Sequence, residues 1–283
     1  MTKYTDFINY NLSMLTDFAR VEAYQTAIKK VVRPGDVVVD LGTGSGILAL
    51  LACQAGAKRV YAIESEKVIH IAMQVCRRNR LEDRVVFLNE ISFQVELPQR
   101  VDVVVTETMG TFGPEEGLVG SIIDARDRFL KPSGALIPRV LELFLVPVEV
   151  PGFYEHMIDF WTSDQFGVDF SPMRQLAMNN FHPIKLHPEA FLCDPVSLVR
   201  VNLATATTSE IRSEVSFYTK RRGKVFGLAG WFAVDLTEGH RLSNAPGSPT
   251  SHWGIAFFPL ARPVAVERGN RIRTVIASQS NGA

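Results

Sequence analysis

Cysteine is scarce in this chain, with 3 among 283 residues. Cys53, Cys76 and Cys193 are scattered, without disulfide or metal-ligand spacing. That excludes a disulfide-framed secreted module and a zinc-ribbon fold, and the thiols read as reduced and mostly buried. A net charge is missing too. The 30 basic and 30 acidic residues cancel, so nothing global argues for electrostatic capture of nucleic acid or an anionic membrane. Arg77-Arg78 and Lys220-Arg221-Arg222 are short clusters of the kind found on solvated faces. No uncharged apolar run approaches the length that spans a bilayer. The opening "MTKYTDFINYNLSML" lacks the continuous apolar core of a signal peptide. Internal repeats and low-complexity segments are absent. The expectation is a soluble cytoplasmic protein of one large domain or two modest ones, with no nucleic-acid, membrane or metal partner.

The remaining composition is ordinary, with 46% apolar and 21% charged residues, and its arrangement changes near Pro138. Before that point, short Val-rich runs ("DVVVDL", 36–41; "RVYAIES", 59–65; "RVVFLNE", 84–90; "VDVVVTE", 101–107) alternate with segments of helical spacing at 45–56, 65–80 and 115–131. Nearly continuous apolar runs are what strands buried on both faces look like. Strand alternating with helix predicts a doubly wound, Rossmann-like parallel sheet, with ligands at the carboxyl ends of its strands. A helix from about Leu12 to Val32 precedes it, and Pro132 and Gly134 read as the stop of the helix over 115–131. After Pro138 the runs become strand-dominated and alternate with period two, which predicts a mostly antiparallel β-barrel. The predicted domains are therefore 1–137 and 138–283, the second interrupted by a helical or irregular stretch at about 154–192.

Two loops carry chemistry. "VVVDLGTGSGILAL" places Asp40, Gly42, Gly44 and Gly46 at a strand-to-helix junction, where glycines permit a tight turn and close approach to a ligand. The spacing is D-x-G-x-G-x-G rather than the dinucleotide G-x-G-x-x-G. Glu64, ending the next strand, is placed to accept hydrogen bonds from a ribose diol. An acid beside the loop suits an ammonium group better than a pyrophosphate, which favours S-adenosylmethionine over a dinucleotide. The second loop, "TETMGTFGPEEG", gathers Glu107, Glu115 and Glu116. Crowded carboxylates repel unless a cation lies between them.

The runs "VVDLGTGSGILALLACQAGAKRVYAIE", "TETMGTFGPEEG", "RDRFLKPSGALIP" and "SHWGIAFFPL" resemble, in order and spacing, the protein arginine methyltransferase family, over about Met14 to Arg273. The resemblance implies that Glu107 and Glu116 grip a guanidinium by bidentate hydrogen bonds, leaving Glu115 to face solvent or cap the following helix. It implies that His252 pairs with Asp17 as proton relay or latch, and that Trp253 faces the acceptor. It further implies that Arg20 clamps the cofactor's carboxylate, that Met14 and Met109 pack near its sulfur, and that Ser92 or Glu90 lies near adenine. The stretch at 154–192 corresponds to a dimerisation arm whose Phe160, Trp161, Phe166, Phe170 and Phe181 form an apolar patch, implying a homodimer. The chain departs from the family in several places. The spacing of Tyr4 and Tyr10 to Met14 differs, Thr108 replaces a tryptophan, Ser251 replaces a threonine, and further barrel strands are expected beyond "ASQSNGA". The acceptor is an arginine-containing protein or peptide; a free arginine or other small guanidine, or a non-catalytic cofactor-binding module, stand as alternatives.

Overall fold

A computed structural model describes residues 2–162, 166–249 and 251–278; residues 279–283, within "ASQSNGA", lie outside them. The chain opens with two helices rather than the single one expected: α1 (Thr2–Thr16) and α2 (Phe18–Val31). Asp17 separates them. Its backbone leaves helical geometry (φ −73°, ψ 74°) and its Oδ1 accepts the Arg20 N–H at 3.1 Å, an N-cap of the kind that stabilises a helix by about 1 kcal/mol. The apolar periodicity runs through Asp17 unbroken, so only its capping chemistry marks the break.

Strands β1 (Val37–Leu41), β2 (Arg59–Ile63), β3 (Val85–Leu88), β4 (Val101–Thr106) and β5 (Leu130–Ile137) form a wholly parallel sheet in the order β3-β2-β1-β4-β5. Helices α3 (Ile47–Gln54), α4 (Ile69–Arg78) and α5 (Leu118–Arg128) connect them. Every residue of β1 is buried, as its apolar run predicts. Chain order reverses beside β1, where Leu41 pairs with Ile63 on one side and Thr106 on the other. The glycine turn and the glutamate loop therefore leave adjacent strand ends. Pro132 and Gly134 do not stop a helix. Helix α5 has already ended at Arg128, and β5 runs through both residues. As an edge strand β5 tolerates a proline, and at Gly134 a Cβ would sit 2.4 Å from Leu130 Cδ1.

The second half is antiparallel. Its strands are β6 (Val140–Val148), β7 (His182–Ile184), β8 (Val196–Asn202), β9 (Ile211–Tyr218), β10 (Gly223–Thr237), β11 (His240–Ser243), β12 (Ile255–Val266) and β13 (Arg271–Ser278). Six take the order β7-β12-β10-β6-β8 with β11 on β10, and β13 pairs with β9. The stretch expected to be helical or irregular holds α6 (Pro151–Met157), a 3-10 turn over Asp159–Thr162, and α7 (Ser171–Met178). Phe160, Phe166, Phe170 and Phe181 are exposed there, Phe166 to 93%. Trp161 departs from expectation: it is half-buried and donates its indole N–H to Met157 O at 3.1 Å. Among the described residues, no helix is long and apolar enough to cross a membrane.

Candidate active site

A cleft of about 520 Å³ opens over the ends of β1, β2 and β4, within the range typical of small-molecule sites. The glycine turn forms its floor. Gly42, Gly44 and Gly46 all adopt positive φ (66°, 52° and 86°), a conformation that L side chains resist. They do different work. A Cβ at Gly42 would lie 2.7 Å from Thr108 Cγ2, and one at Gly46 would lie 3.2 Å from Ala72 Cβ. At Gly44 nothing of the protein stands closer than 4.0 Å, so the space belongs to the cleft.

Glu64 stands at the end of β2 with its carboxylate fixed: Gly44 N–H donates to Oε2 at 3.0 Å and Glu66 N–H to Oε1 at 2.9 Å. Lone pairs remain to accept a ribose diol. Asp40 lies outside the cleft lining. It is fully buried beneath the turn and accepts the Thr43 hydroxyl at 2.6 Å through Oδ2. Burial raises its pKa to about 7, against the hydrogen bond from Thr43. Asp40 thus braces the turn from below rather than meeting a ligand.

Helix α1 roofs the cleft with Phe7, Tyr10, Asn11 and Met14. Their spacing of three, one and three residues is a single helical face, a signal that reveals Phe7 and Tyr10 once a helix is extended back from Met14. Arg20 enters from α2. It is almost wholly buried and makes an ion pair with Glu107, while Nη2 donates to Met14 O at 2.5 Å. Its Nε has no partner among the described residues. A buried donor left unsatisfied costs on the order of 1–3 kcal/mol, and an anionic group arriving in the cleft would satisfy it.

Glu107 and Glu116 line the same cleft. Burial drives the Glu107 carboxyl upward against the pull of Arg20, and the charge of Glu116 pushes it further. Burial also raises Glu116, with His252 opposing it. Glu115 is exposed, as expected, and does not cap α5. It folds back on its own loop and accepts the Phe112 N–H through Oε1, passing within 3 Å of where a Cβ on Gly110 would be. The loop interior "TFG" docks on the barrel: Phe112 packs edge-on to Phe258 with centroids 5.2 Å apart, and Thr111 O accepts Asn244 Nδ2–H at 2.8 Å.

The "SHWG" loop ties the pieces together. His252 Nδ1 lies 2.8 Å from Asp17 Oδ2, and the His252 backbone N–H reaches the same oxygen at 3.2 Å. Burial works to raise the Asp17 pKa, but the hydrogen bonds from His252 and Arg20 outweigh it and hold the carboxyl below its usual value. Trp253, expected at the acceptor, is instead buried (4% exposed) and donates its indole N–H to Met109 O at 2.7 Å. Met109 is likewise buried behind the loop, outside the cleft lining. Ser92 falls outside it too: its carbonyl accepts Arg128 Nη2–H at 2.7 Å, which ties its 3-10 turn to α5. These three residues hold the site's shape and do not line it.

A parallel sheet whose glycine turn floors a cleft, with an acid ending the second strand, defines a class I S-adenosylmethionine-dependent methyltransferase. The cleft's size, the open side of Gly44, the oriented Glu64 and the orphaned Arg20 Nε all fit that cofactor. Residues 23–137 match the family model described as ribosomal protein L11 methyltransferase, and residues 141–283 match the arginine methyltransferase oligomerization subdomain. The chain is 33% identical over 283 residues to protein arginine N-methyltransferase 6 of Xenopus tropicalis, covering 95% of this chain and 83% of that one. To the probable protein arginine N-methyltransferase 6 of Arabidopsis thaliana it is 35% identical over 252 residues, 86% of this chain and 57% of the relative's length. The crystal structure of Arabidopsis thaliana protein arginine methyltransferase 10, in an open conformation, shares the fold with a TM-score of 0.80 at 28% identity, over 94% of this chain and 88% of that one. The Trypanosoma brucei PRMT1 enzyme-prozyme complex with AdoHcy matches with a TM-score of 0.84 at 24% identity, over 93% and 86%. The chain belongs to the protein arginine N-methyltransferase family and uses S-adenosylmethionine.

Proposed function

We propose that this chain methylates a guanidinium nitrogen of arginine in a protein or peptide, with the guanidinium held between Glu107 and Glu116. The observation that carries the reading is that Glu107 already binds a guanidinium, that of Arg20, in a buried ion pair beside Glu116. An ionised carboxylate has about four lone-pair sites, so Glu107 can hold Arg20 and an acceptor together.

The cofactor, when bound, supplies an electrophilic sulfonium methyl. Gly44 would leave room for it, Glu64 would accept its ribose hydroxyls, and Arg20 would meet its carboxylate. Glu107 and Glu116 draw the acceptor's positive charge toward the nitrogens they bind, leaving electron density on the third. That nitrogen would be the one turned toward the methyl group, whose transfer the cofactor would supply. The proton of that nitrogen would pass to solvent water at the mouth of the cleft, beside the exposed Glu116. Holding reactants in line is worth on the order of several kcal/mol. His252 and Asp17 act here as a latch between barrel and helix rather than as the base, since neither lines the cleft.

Radiolabelled methyl transfer to an arginine-rich protein, a short arginine peptide and free arginine tests the acceptor. The expected order is protein and peptide well above free arginine, with methylarginine as the product by mass spectrometry. Label appearing only on free arginine would replace this reading with the small-guanidine one.

The arm supports self-association. Phe160, Phe166, Phe170, Met173 and Leu176 are all exposed on it, exposed large apolar side chains are what association surfaces cover, and a homodimer is the proposed state. Sedimentation equilibrium at micromolar concentration is expected to give about twice the 31.5 kDa chain mass; a monomer there would refute it. The cytoplasm suits the three cysteines, all buried free thiols whose pKa values burial raises.

A further inference from the structure

At the opposite edge of the parallel sheet from the cofactor cleft, where α2 and α5 end and β4 and β5 begin, lies an open groove of about 750 Å³ walled on its far side by Thr237 and Glu238. Lys30, Arg33, Arg100, Arg126, Lys131 and Arg139 converge on it. Against these six cations stand four carboxylates, Asp127 and Glu238 in the wall, Asp102 paired with Lys131, and Asp36, whose Oδ2 accepts the Arg33 backbone N–H at 2.7 Å. That leaves two positive charges over, in a chain whose formal net charge is zero.

Backbone carbonyls of the turn after β10, of β5 and of the loop after β8 already occupy part of the cluster. Lys30 Nζ donates to Glu238 O at 2.6 Å, Arg100 Nη1 to Leu130 O at 2.6 Å, and Arg126 Nη1 to Ala206 O at 2.7 Å. Arg126 also meets Asp127 at 2.8 Å. Arg33 and Arg139 are different. Both are exposed, and among the described residues neither guanidinium meets a carboxylate or a carbonyl. Thr237 adds a second sign: it is 4% exposed, and its hydroxyl is buried without a hydrogen-bond partner. Buried polar groups seldom stay unpaired.

We propose that this groove binds a phosphate-bearing anion of nucleotide size. Guanidinium forks match phosphate oxygens, and the volume lies in the range that encloses small ligands. The cations converge on one concavity rather than tracking along a surface, which suits a compact multivalent anion over an extended acidic chain. An arginine-rich acceptor is excluded by its own charge.

Titration calorimetry of the full chain at low salt tests this with tripolyphosphate and a nucleoside triphosphate side by side. Binding of both at similar strength assigns the phosphates alone as the ligand; a tighter nucleotide adds contacts to its base. Arg33→Gln combined with Arg139→Gln is expected to weaken either ligand by on the order of tenfold or more, with S-adenosylmethionine affinity and Tm nearly unchanged. The paired lysine variants, Arg33→Lys with Arg139→Lys, should recover part of the loss. The proposal fails if neither phosphate binds at millimolar concentration, if the glutamine variant binds like the parent, or if S-adenosylmethionine competes. It also fails if only a hexaglutamate peptide binds, which would point to an acidic protein segment.

Discussion

Glu116→Gln is expected to lower kcat by on the order of a thousandfold while S-adenosylmethionine still binds, because the amide keeps the shape and loses the charge. Removing one preorganised group that stabilises developing charge typically costs about 10²–10³ in rate. Glu116 is the cleaner of the two acids to test, since Glu107 is also the partner of Arg20. Glu107→Gln should therefore damage both turnover and cofactor affinity, and the contrast between the variants separates acceptor grip from cofactor grip. A companion pH profile follows from the raised Glu107 carboxyl, displaced to about 8 chiefly by burial. The clamp works ionised, so kcat/KM for the acceptor should fall as pH drops through about 8, where an ordinary glutamate would hold activity down to about pH 4. Steady-state rates between pH 6 and 10, with direct cofactor binding on each variant, check this. Near-parental kcat in both variants would sink the guanidinium clamp.

Gly44→Val should abolish useful cofactor binding, with affinity down by on the order of a hundredfold or more and the fold intact. The φ of +52° makes any L side chain uncomfortable, at roughly 1–2 kcal/mol. That strain alone does not account for the larger loss. A Cβ there meets no protein atom closer than 4.0 Å, so the remaining loss must come from the ligand's own atoms. The control is Gly239→Val, at the β10–β11 turn with φ +76° and nothing within 4 Å. It carries comparable backbone strain far from the cleft and should lower Tm without touching cofactor affinity. Calorimetric binding that weakens equally in both variants would show that the glycine turn matters only for folding.

Much of this was legible from the residues. Continuous Val runs at 37–41 and 101–106 could only be strands buried on both faces, and their loops had to meet at one sheet edge. Glu107 and Glu116 reach the cleft because one ends such a strand and the other opens the next connection. What stayed hidden depended on partners distant in sequence. Trp253 looks like an acceptor contact until Met109 O is found taking its N–H, 144 residues away. Asp40 looks like a ligand until the sheet closes over it. Pro132 and Gly134 look like a helix stop because nothing local reveals that β5 is an edge strand. Glu115 is exposed as expected, but its partner, the Phe112 N–H, was hidden for a shorter-range reason: turn geometry inside a seven-residue stretch is set by where Phe112 and Gly113 press into the barrel.

Asp17 also bears on how such a chain can change over generations. One carboxylate ends α1, starts α2 and holds His252 from 235 positions away. Neither member of the pair can drift alone, since a histidine without its acid leaves the roof unfastened and an acid without its histidine leaves a buried charge short of a donor. An alignment of relatives should therefore show columns 17 and 252 varying together. A chimera that grafts a foreign second half onto this first half inherits that constraint, and will be sound only when the two positions are taken from the same parent.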